Sequence, residues 1–209
     1  MFILSHRGYW KAPEERNSGQ AFRRAFALGL GVETDVRDRL GDLVISHDPP
    51  TGGEMGLRDL LELHAEYGHV GPLALNIKAD GLRGPLESTL ADFPKVNAFV
   101  FDMSVPDALD YLGWSVPVFT RQSEMERECP FYERASGVWL DAFFGDWYEI
   151  SCIVEHLQFG KQVCLVSPEL HGRDPQPLWD RLAASDALRD SDLMICTDRP
   201  EEAEAVFSR

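Results

Sequence analysis

Repetition narrows the fold more than any other feature of this chain. Eight short apolar runs, at residues 2–5, 31–36, 73–77, 98–101, 116–120, 137–140, 163–166 and 193–197, recur from one end to the other. Each is apolar at consecutive rather than alternate positions, the pattern of a parallel strand covered on both faces. The intervening segments carry helix punctuation. Asn17 and Ser18 stand where an N-cap is needed, Ala21, Phe22, Ala25, Phe26 and Leu28 form a stripe at helical spacing, and Gly29 can close the turn. Leu57, Leu60, Leu61 and Ala65 repeat the stripe before Gly68, and Ile150, Ile153, Val154 and Leu157 repeat it before Gly160. Pro200, after Asp198, opens a last helix running through Val206.

Eight strands, each followed by a helix, describe an α/β fold, the (β/α)8 or TIM barrel, as one domain over residues 1–209. That length is near the short end for the architecture. An open doubly wound sheet is the main alternative, but its Gly-x-Gly-x-x-Gly fingerprint is missing after the first run.

Charge removes classes of partner. With 35 Asp and Glu against 20 Lys and Arg, the net charge of −15 repels DNA, RNA and anionic membrane surfaces. No apolar run approaches the roughly 18 residues of a membrane span, and the first residues enter a strand-like segment rather than a basic, cleavable leader. The expectation is a soluble, cytoplasmic protein with no nucleic-acid partner, and the oligomeric state is left open. Cys129, Cys152, Cys164 and Cys196 lie far apart without a Cys-x-x-Cys pair, and Cys164 and Cys196, inside apolar runs, read as buried packing residues.

In a TIM barrel the chemistry gathers at the C-terminal ends of the strands. The first run ends in Ser5-His6-Arg7-Gly8. The second carries Glu33 and Asp35, which at i and i+2 point to one side, here inward. Two carboxylates on an interior face need a positive partner, and a hard divalent cation is the simplest. A further extended piece brings His47 and Asp48 back to the rim, and the third run ends in Asn76-Ile77-Lys78. Two imidazoles, a paired carboxylate site, a guanidinium and an ammonium suit phosphoryl-ester hydrolysis: cationic groups stabilise the phosphate oxygens while the histidines move protons. Lys78 as a Schiff-base nucleophile is the weaker reading, because it leaves the histidines and carboxylates without a task.

Later strand ends add Arg121 and the run Ser167, Glu169, His171 and Arg173 as candidates for the substrate rim. Tyr9, Trp10, Phe143, Phe144 and Trp147 fall near rim loops, as packing or as contacts to a cationic head group. His64, His69 and His156 read as surface or helix residues.

The chain also resembles the glycerophosphodiester phosphodiesterases. The resemblance is carried by His6-Arg7-Gly8, Pro13-Glu14, Asn17-Ser18 with Ala21-Phe22 and Ala25, the stretch from Gly31 to Val36, and Val44 with His47-Asp48. Lys78 and Thr197-Asp198-Arg199-Pro200 carry it more loosely. It implies a (β/α)8 barrel hydrolysing a small-molecule phosphodiester to an alcohol and a phosphomonoester, sn-glycerol 3-phosphate if the family substrate holds. On that pattern His6 and His47 are the acid/base pair, Arg7 and Lys78 hold the phosphate, and Glu33, Asp35 and the residue at position 76 bind Mg or Ca. Two departures matter. Asn76 stands where most of the family has a carboxylate ligand, which points to weaker metal binding or to another carboxylate, Asp141, Glu169 or Asp198, in its place. The usual insertion after the second strand is also missing, since only residues 49–72 separate His47-Asp48 from the third run. A non-catalytic phosphate-binding barrel derived from the same family is the alternative.

Overall fold

The computed structural model describes residues 1–188 and 192–207. Its strands are β1 (Phe2–His6), β2 (Gly31–Arg39), β3 (Asp42–Ile45), β4 (Leu73–Ile77), β5 (Ala98–Phe101), β6 (Phe119–Gln122), β7 (Gly137–Leu140), β8 (Gln162–Val166) and β9 (Leu193–Thr197). All except β3 are parallel neighbours in the order β5-β4-β2-β1-β9-β8-β7-β6. The two ends of that row meet at a bridge between Val100 and Val118, where the Val100 N–H donates to the Pro117 carbonyl at 3.0 Å. The result is a nearly closed (β/α)8 barrel.

The helices are α1 (Gly19–Ala27), α2 (Leu57–Glu66), α3 (Arg83–Ala91), α4 (Val105–Tyr111), α5 (Ile150–Gln158), α6 (Gln176–Ala183) and α7 (Pro200–Phe207). As expected, Ser18 caps α1 by accepting from the Ala21 N–H at 3.2 Å, Gly29 follows with φ 75°, and Pro200 opens α7. One expectation fails: no helix follows β6 among the described residues, and 123–136 run as turns. That segment has no apolar stripe, Pro130 interrupts it, and Thr120 Oγ1 anchors it by donating to the Pro130 carbonyl at 2.7 Å. β6 also begins three residues later than its apolar run, because Pro117 has no N–H to give to a ladder. The piece carrying His47 is a hairpin arm, with β3 antiparallel to β2 through a turn at Leu40 (φ 52°) and Gly41 (φ 94°).

Two apolar layers result from strand alternation. Inside the barrel lie Leu4, Ala74, Phe99, Phe101, Phe119, Trp139, Cys164, Val166, Met194 and Cys196, with Phe99 stacked on Phe119 and Phe101 on Trp139, both at 3.9 Å between ring centres. Outward residues such as Val32, Leu75, Val138 and Ile195 pack beneath the helices in a separate cluster. Gly31 begins β2 because a side chain there would meet Leu4 Cδ2 at 2.4 Å and the Pro72 carbonyl at 2.6 Å. Cys164 and Cys196 are buried packing residues, as expected, and burial pushes both thiols well above their ordinary range. His64 and His156 are on helices but not at the surface: both are buried, His64 bonded to the Val70 carbonyl at 2.8 Å and His156 to Tyr132 Oη and Gln122 Oε1 at 2.8 and 2.9 Å.

Candidate active site

The interior row of nearly every strand changes character at its C-terminal end. Counting by twos, Leu4 leads to His6, Gly31 to Glu33 and Asp35, Ala74 to Asn76 and Lys78, Phe119 to Arg121, Trp139 to Asp141, and Met194 and Cys196 to Asp198. An apolar floor therefore carries a layer of charged groups around the barrel mouth.

His6 is held from both sides. Its Nδ1 lies 2.8 Å from Asp198 Oδ1 and its Nε2 is 3.8 Å from Glu33 Oε2. Arg7 turns back into the mouth because it takes a left-handed conformation, φ 57°, and its Nε reaches Asp35 Oδ2 at 3.0 Å. Gly8 must follow, since with φ 79° a side chain would meet Ala21 Cβ and Phe22 Cδ1, each at 2.9 Å. Lys78 Nζ approaches Asp35 Oδ1 at 3.5 Å and Asp102 Oδ2 at 3.6 Å. Asp102 passes the network on to Arg121 Nη1 at 2.7 Å, and Arg121 also pairs with Glu126. Asn17 Nδ2 donates to Asp35 Oδ2 at 2.9 Å and Thr34 Oγ1 donates to Asn17 Oδ1 at 2.8 Å.

Glu33 is fully desolvated, and burial pushes its carboxyl above the usual range, with the nearby Asp35 charge adding to the shift against His6, Arg7 and Lys78. Its direct partners are the Arg7 backbone N–H and Asn76 Nδ2, both at 3.3 Å. The donors for a hard cation are Glu33, Asp35 and Asn76. Asp35 and Asn76 are register neighbours on β2 and β4, and Asp35 Oδ1 and Asn76 Oδ1 are buried without a hydrogen-bond partner. Carboxylate and amide oxygens suit Mg or Ca, so the set fits such an ion in donor chemistry. It is a lean set, because Asp35 already faces two cations and no three His, Cys, Asp or Glu side chains converge as a metal site among the described residues.

The other carboxylates have different tasks. Asp198 binds His6, Asp141 Oδ1 accepts from His171 Nε2 at 2.7 Å, and Glu169 accepts from the Ser167 and Thr197 hydroxyls and, at 3.1 Å, from the Asp198 N–H. His47 stands apart from His6 on the arm beyond β3. It is 46% exposed, bonded to the outward Asp48 at 2.9 Å, and shares with Arg7, Arg16 and Asn17 the wall of an open cleft beside the mouth. Among the rim aromatics, Trp10 donates to the His6 carbonyl at 3.2 Å and Trp147 to the Asp141 carbonyl at 2.6 Å, Phe143 sets its edge on His171 at 5.0 Å, and Phe144 is exposed. Asp102 and the bridging role of Asn17 were not foreseen, and both residues have positive φ, 70° and 57°.

Fold and site together define a (β/α)8 barrel with a charged C-terminal mouth. Glycerophosphodiester phosphodiesterases are among the solved structures that share this fold along the whole chain. One from Agrobacterium tumefaciens superposes with a TM-score of 0.75 at 18% identity, covering 100% of both chains. A phosphodiesterase from Oleispira antarctica, solved with its product sn-glycerol-3-phosphate, gives 0.72 at 15% identity over 100% of this chain and 97% of that one. A glycerophosphodiester phosphodiesterase from Parabacteroides distasonis gives 0.67 at 16% over 99% and 96%. No family model matches the sequence, and no curated protein does. No helix among the described residues is long and apolar enough to cross a membrane.

Proposed function

We propose that the protein is a cation-assisted phosphodiesterase that hydrolyses a small glycerophosphodiester-like substrate to an alcohol and sn-glycerol 3-phosphate. The observation that carries this reading is the pairing of functions in one mouth: an imidazole bonded to Asp198 at Nδ1, its Nε2 facing only Glu33 at 3.8 Å, beside Arg7 and Lys78, which flank a single buried carboxylate. End-to-end likeness to barrels with this activity supports it.

His6 Nδ1 is occupied by Asp198, so Nε2 is the atom that takes a proton from the attacking water. Arg7 and Lys78 sit 3.0 and 3.5 Å from Asp35 and can share their charge with the non-bridging phosphate oxygens without leaving it. A divalent ion held by Glu33, Asp35 and Asn76 would supply further charge stabilisation to those oxygens. His47, on the cleft wall beside Arg7, is the second proton-transfer group that the family resemblance assigns.

A non-catalytic phosphate-binding barrel is the second reading, favoured by the uncharged amide of Asn76 among the cation donors. The test is turnover of a panel of glycerophosphodiesters by metal-stripped protein after adding back Mg, Ca or Mn, with His6→Ala alongside. Metal-restored turnover that drops about 10²–10⁴-fold in His6→Ala is expected. Phosphate binding without turnover under every metal would establish the binding barrel instead.

A further inference from the structure

The ladder that carries β9 ends one residue short of the aspartate that holds His6. β9 pairs with β1 as far as Thr197 opposite Ser5, and with β8 as far as Cys196 opposite Val166. The Cys196 carbonyl then accepts the Ser167 N–H at 2.9 Å. Asp198 lies beyond that hold, and its backbone N–H goes to a side chain instead, Glu169 Oε1 at 3.1 Å. The same oxygen accepts from the Thr197 hydroxyl, and Thr197 Oγ1 in turn accepts the Arg199 N–H at 3.0 Å. One carboxylate oxygen thereby fixes the turn from Thr197 to Arg199.

Glu169 is itself anchored. It sits on the 3-10 turn Pro168–His171 after β8, closed by the Gly172 N–H to the Glu169 carbonyl at 3.0 Å and the Arg173 N–H to the Pro168 carbonyl at 3.1 Å. Its Oε2 accepts from Ser167 Oγ, which accepts from Trp179 Nε1 at 2.9 Å. Ser167 and Trp179 are fully buried, so a continuous line of hydrogen bonds runs from α6 in the core to the barrel mouth. Among the described residues every hydrogen-bond partner of the Glu169 carboxylate is a neutral donor. A carboxylate held in this way sets position, whereas the others at the mouth face histidines or cations.

We infer that Glu169 is a positioning residue for the reaction. By fixing the Asp198 backbone it keeps Asp198 Oδ1 2.8 Å from His6 Nδ1, and so keeps Nε2 as the nitrogen that takes the proton. The assignment rests on the hydrolase reading above and leaves the proton-transfer role of His47 as it stands. A shift of about 1 Å in a group that aligns the reaction costs about 10²-fold in rate, which sets the scale of the effect.

A residue that acts through Asp198 has nothing left to lose once Asp198 has lost its charge. The experiment is therefore a double-mutant cycle on glycerophosphodiester turnover with added Mg or Ca, comparing wild type, Glu169→Ala, Asp198→Asn and the double variant, with Glu169→Gln alongside and thermal melts to confirm folding. Glu169→Ala should lower kcat about 10–10²-fold in the wild-type background and less than about threefold in the Asp198→Asn background, because residues that act as a unit are not additive. Glu169→Gln should stay within about threefold of wild type, since its amide oxygen can take the place of Oε1 while its NH2 donates to Ser167 Oγ. If Glu169→Ala does not fold, Glu169→Asp, one methylene too short to reach Thr197 and Asp198 from the same turn, replaces it in both backgrounds. The same factor lost in both backgrounds is the mark of a merely structural role and would overturn the assignment. So would a Glu169→Ala enzyme as active as wild type, or a loss in Glu169→Gln as large as in Glu169→Ala. Wild-type silence under every metal would remove the hydrolase reading and this assignment with it, whereas wild-type turnover with additive losses would remove this assignment alone.

Discussion

Glu33 is a buried carboxylate whose partners fall short of what its charge requires, which makes Glu33→Gln the informative perturbation. Taking the carboxylate out of water costs several kcal/mol after relaxation. Against that stand two long hydrogen bonds at 3.3 Å and a histidine at 3.8 Å, with Asp35 repelling from the same face. The two bonds return about 2 kcal/mol together, which leaves about 1–2 kcal/mol uncompensated at neutral pH. Glutamine keeps the shape and an acceptor oxygen while removing the charge. In chelator at pH 7 the variant is expected to melt about 2–8 °C above wild type, at about 2–4 °C per kcal/mol for a chain of this size, and to be inactive. The sign of the pH dependence follows from burial: the carboxyl binds its proton more tightly folded than unfolded, so the stability it supports is present below its ordinary value of 4.5 and lost as pH rises through the raised folded value. The advantage of the variant should accordingly shrink as the pH is lowered. Adding Mg or Ca should stabilise wild type and not the variant. A Glu33→Gln variant that melts at or below wild type at pH 7 in chelator would refute the claim that Glu33 is under-compensated.

Three further outcomes test neighbouring parts of the site and core. Asp198→Asn should leave circular dichroism unchanged and lower kcat about 10²–10³-fold, because His6 loses the partner at 2.8 Å that fixes its free nitrogen; a kcat within about twofold of wild type would remove Asp198 from the mechanism. Asn76→Asp should tighten Mg or Ca binding about tenfold or more by calorimetry, because the amide brings no charge to the site, and unchanged affinity would place position 76 outside the ligand set. Burial holds the imidazoles of His64 and His156 below their ordinary 6.5, so the folded state binds fewer protons than the unfolded chain and stability should fall as pH drops through 6.5. That slope, read from melts between pH 8 and 5, should be shallower in His64→Gln and would be steeper if the reasoning were inverted.

Strand identity was legible because each apolar run is short and bounded by polar turns, and six of the eight match within one residue at both ends. The β6 boundary was not, because Pro117 is apolar in composition yet cannot donate to a ladder. The missing helix after β6 follows from the composition of residues 123–136, which have no apolar stripe to lay on the sheet. Within the site, His6, Glu33, Asp35, Asn76 and Lys78 were readable because they continue the two-residue alternation of their strands. Arg7 was reached through its neighbours, and its side chain enters the mouth only because its φ of 57° breaks the alternation. Asp102 escaped for the same reason: after Phe99 and Phe101 the period assigns it to the outer face, and a φ of 70° turns it to Lys78 and Arg121 instead.

Local chemistry written into the sequence was sufficient for the barrel, since the period of each segment fixes its secondary structure and the order of segments leaves few ways to bury them. It was also sufficient to name the acids, bases and cations at the strand ends. Which of them meet was decided only by closure of the barrel. Asp198 is 192 residues from His6 and reaches it because β9 pairs with β1, and Glu169 and His171 join that end of the site because β8 lies alongside β9. Contacts of that kind depend on strand order and register, which are properties of the assembled sheet, whereas periodicity is a property of each strand alone.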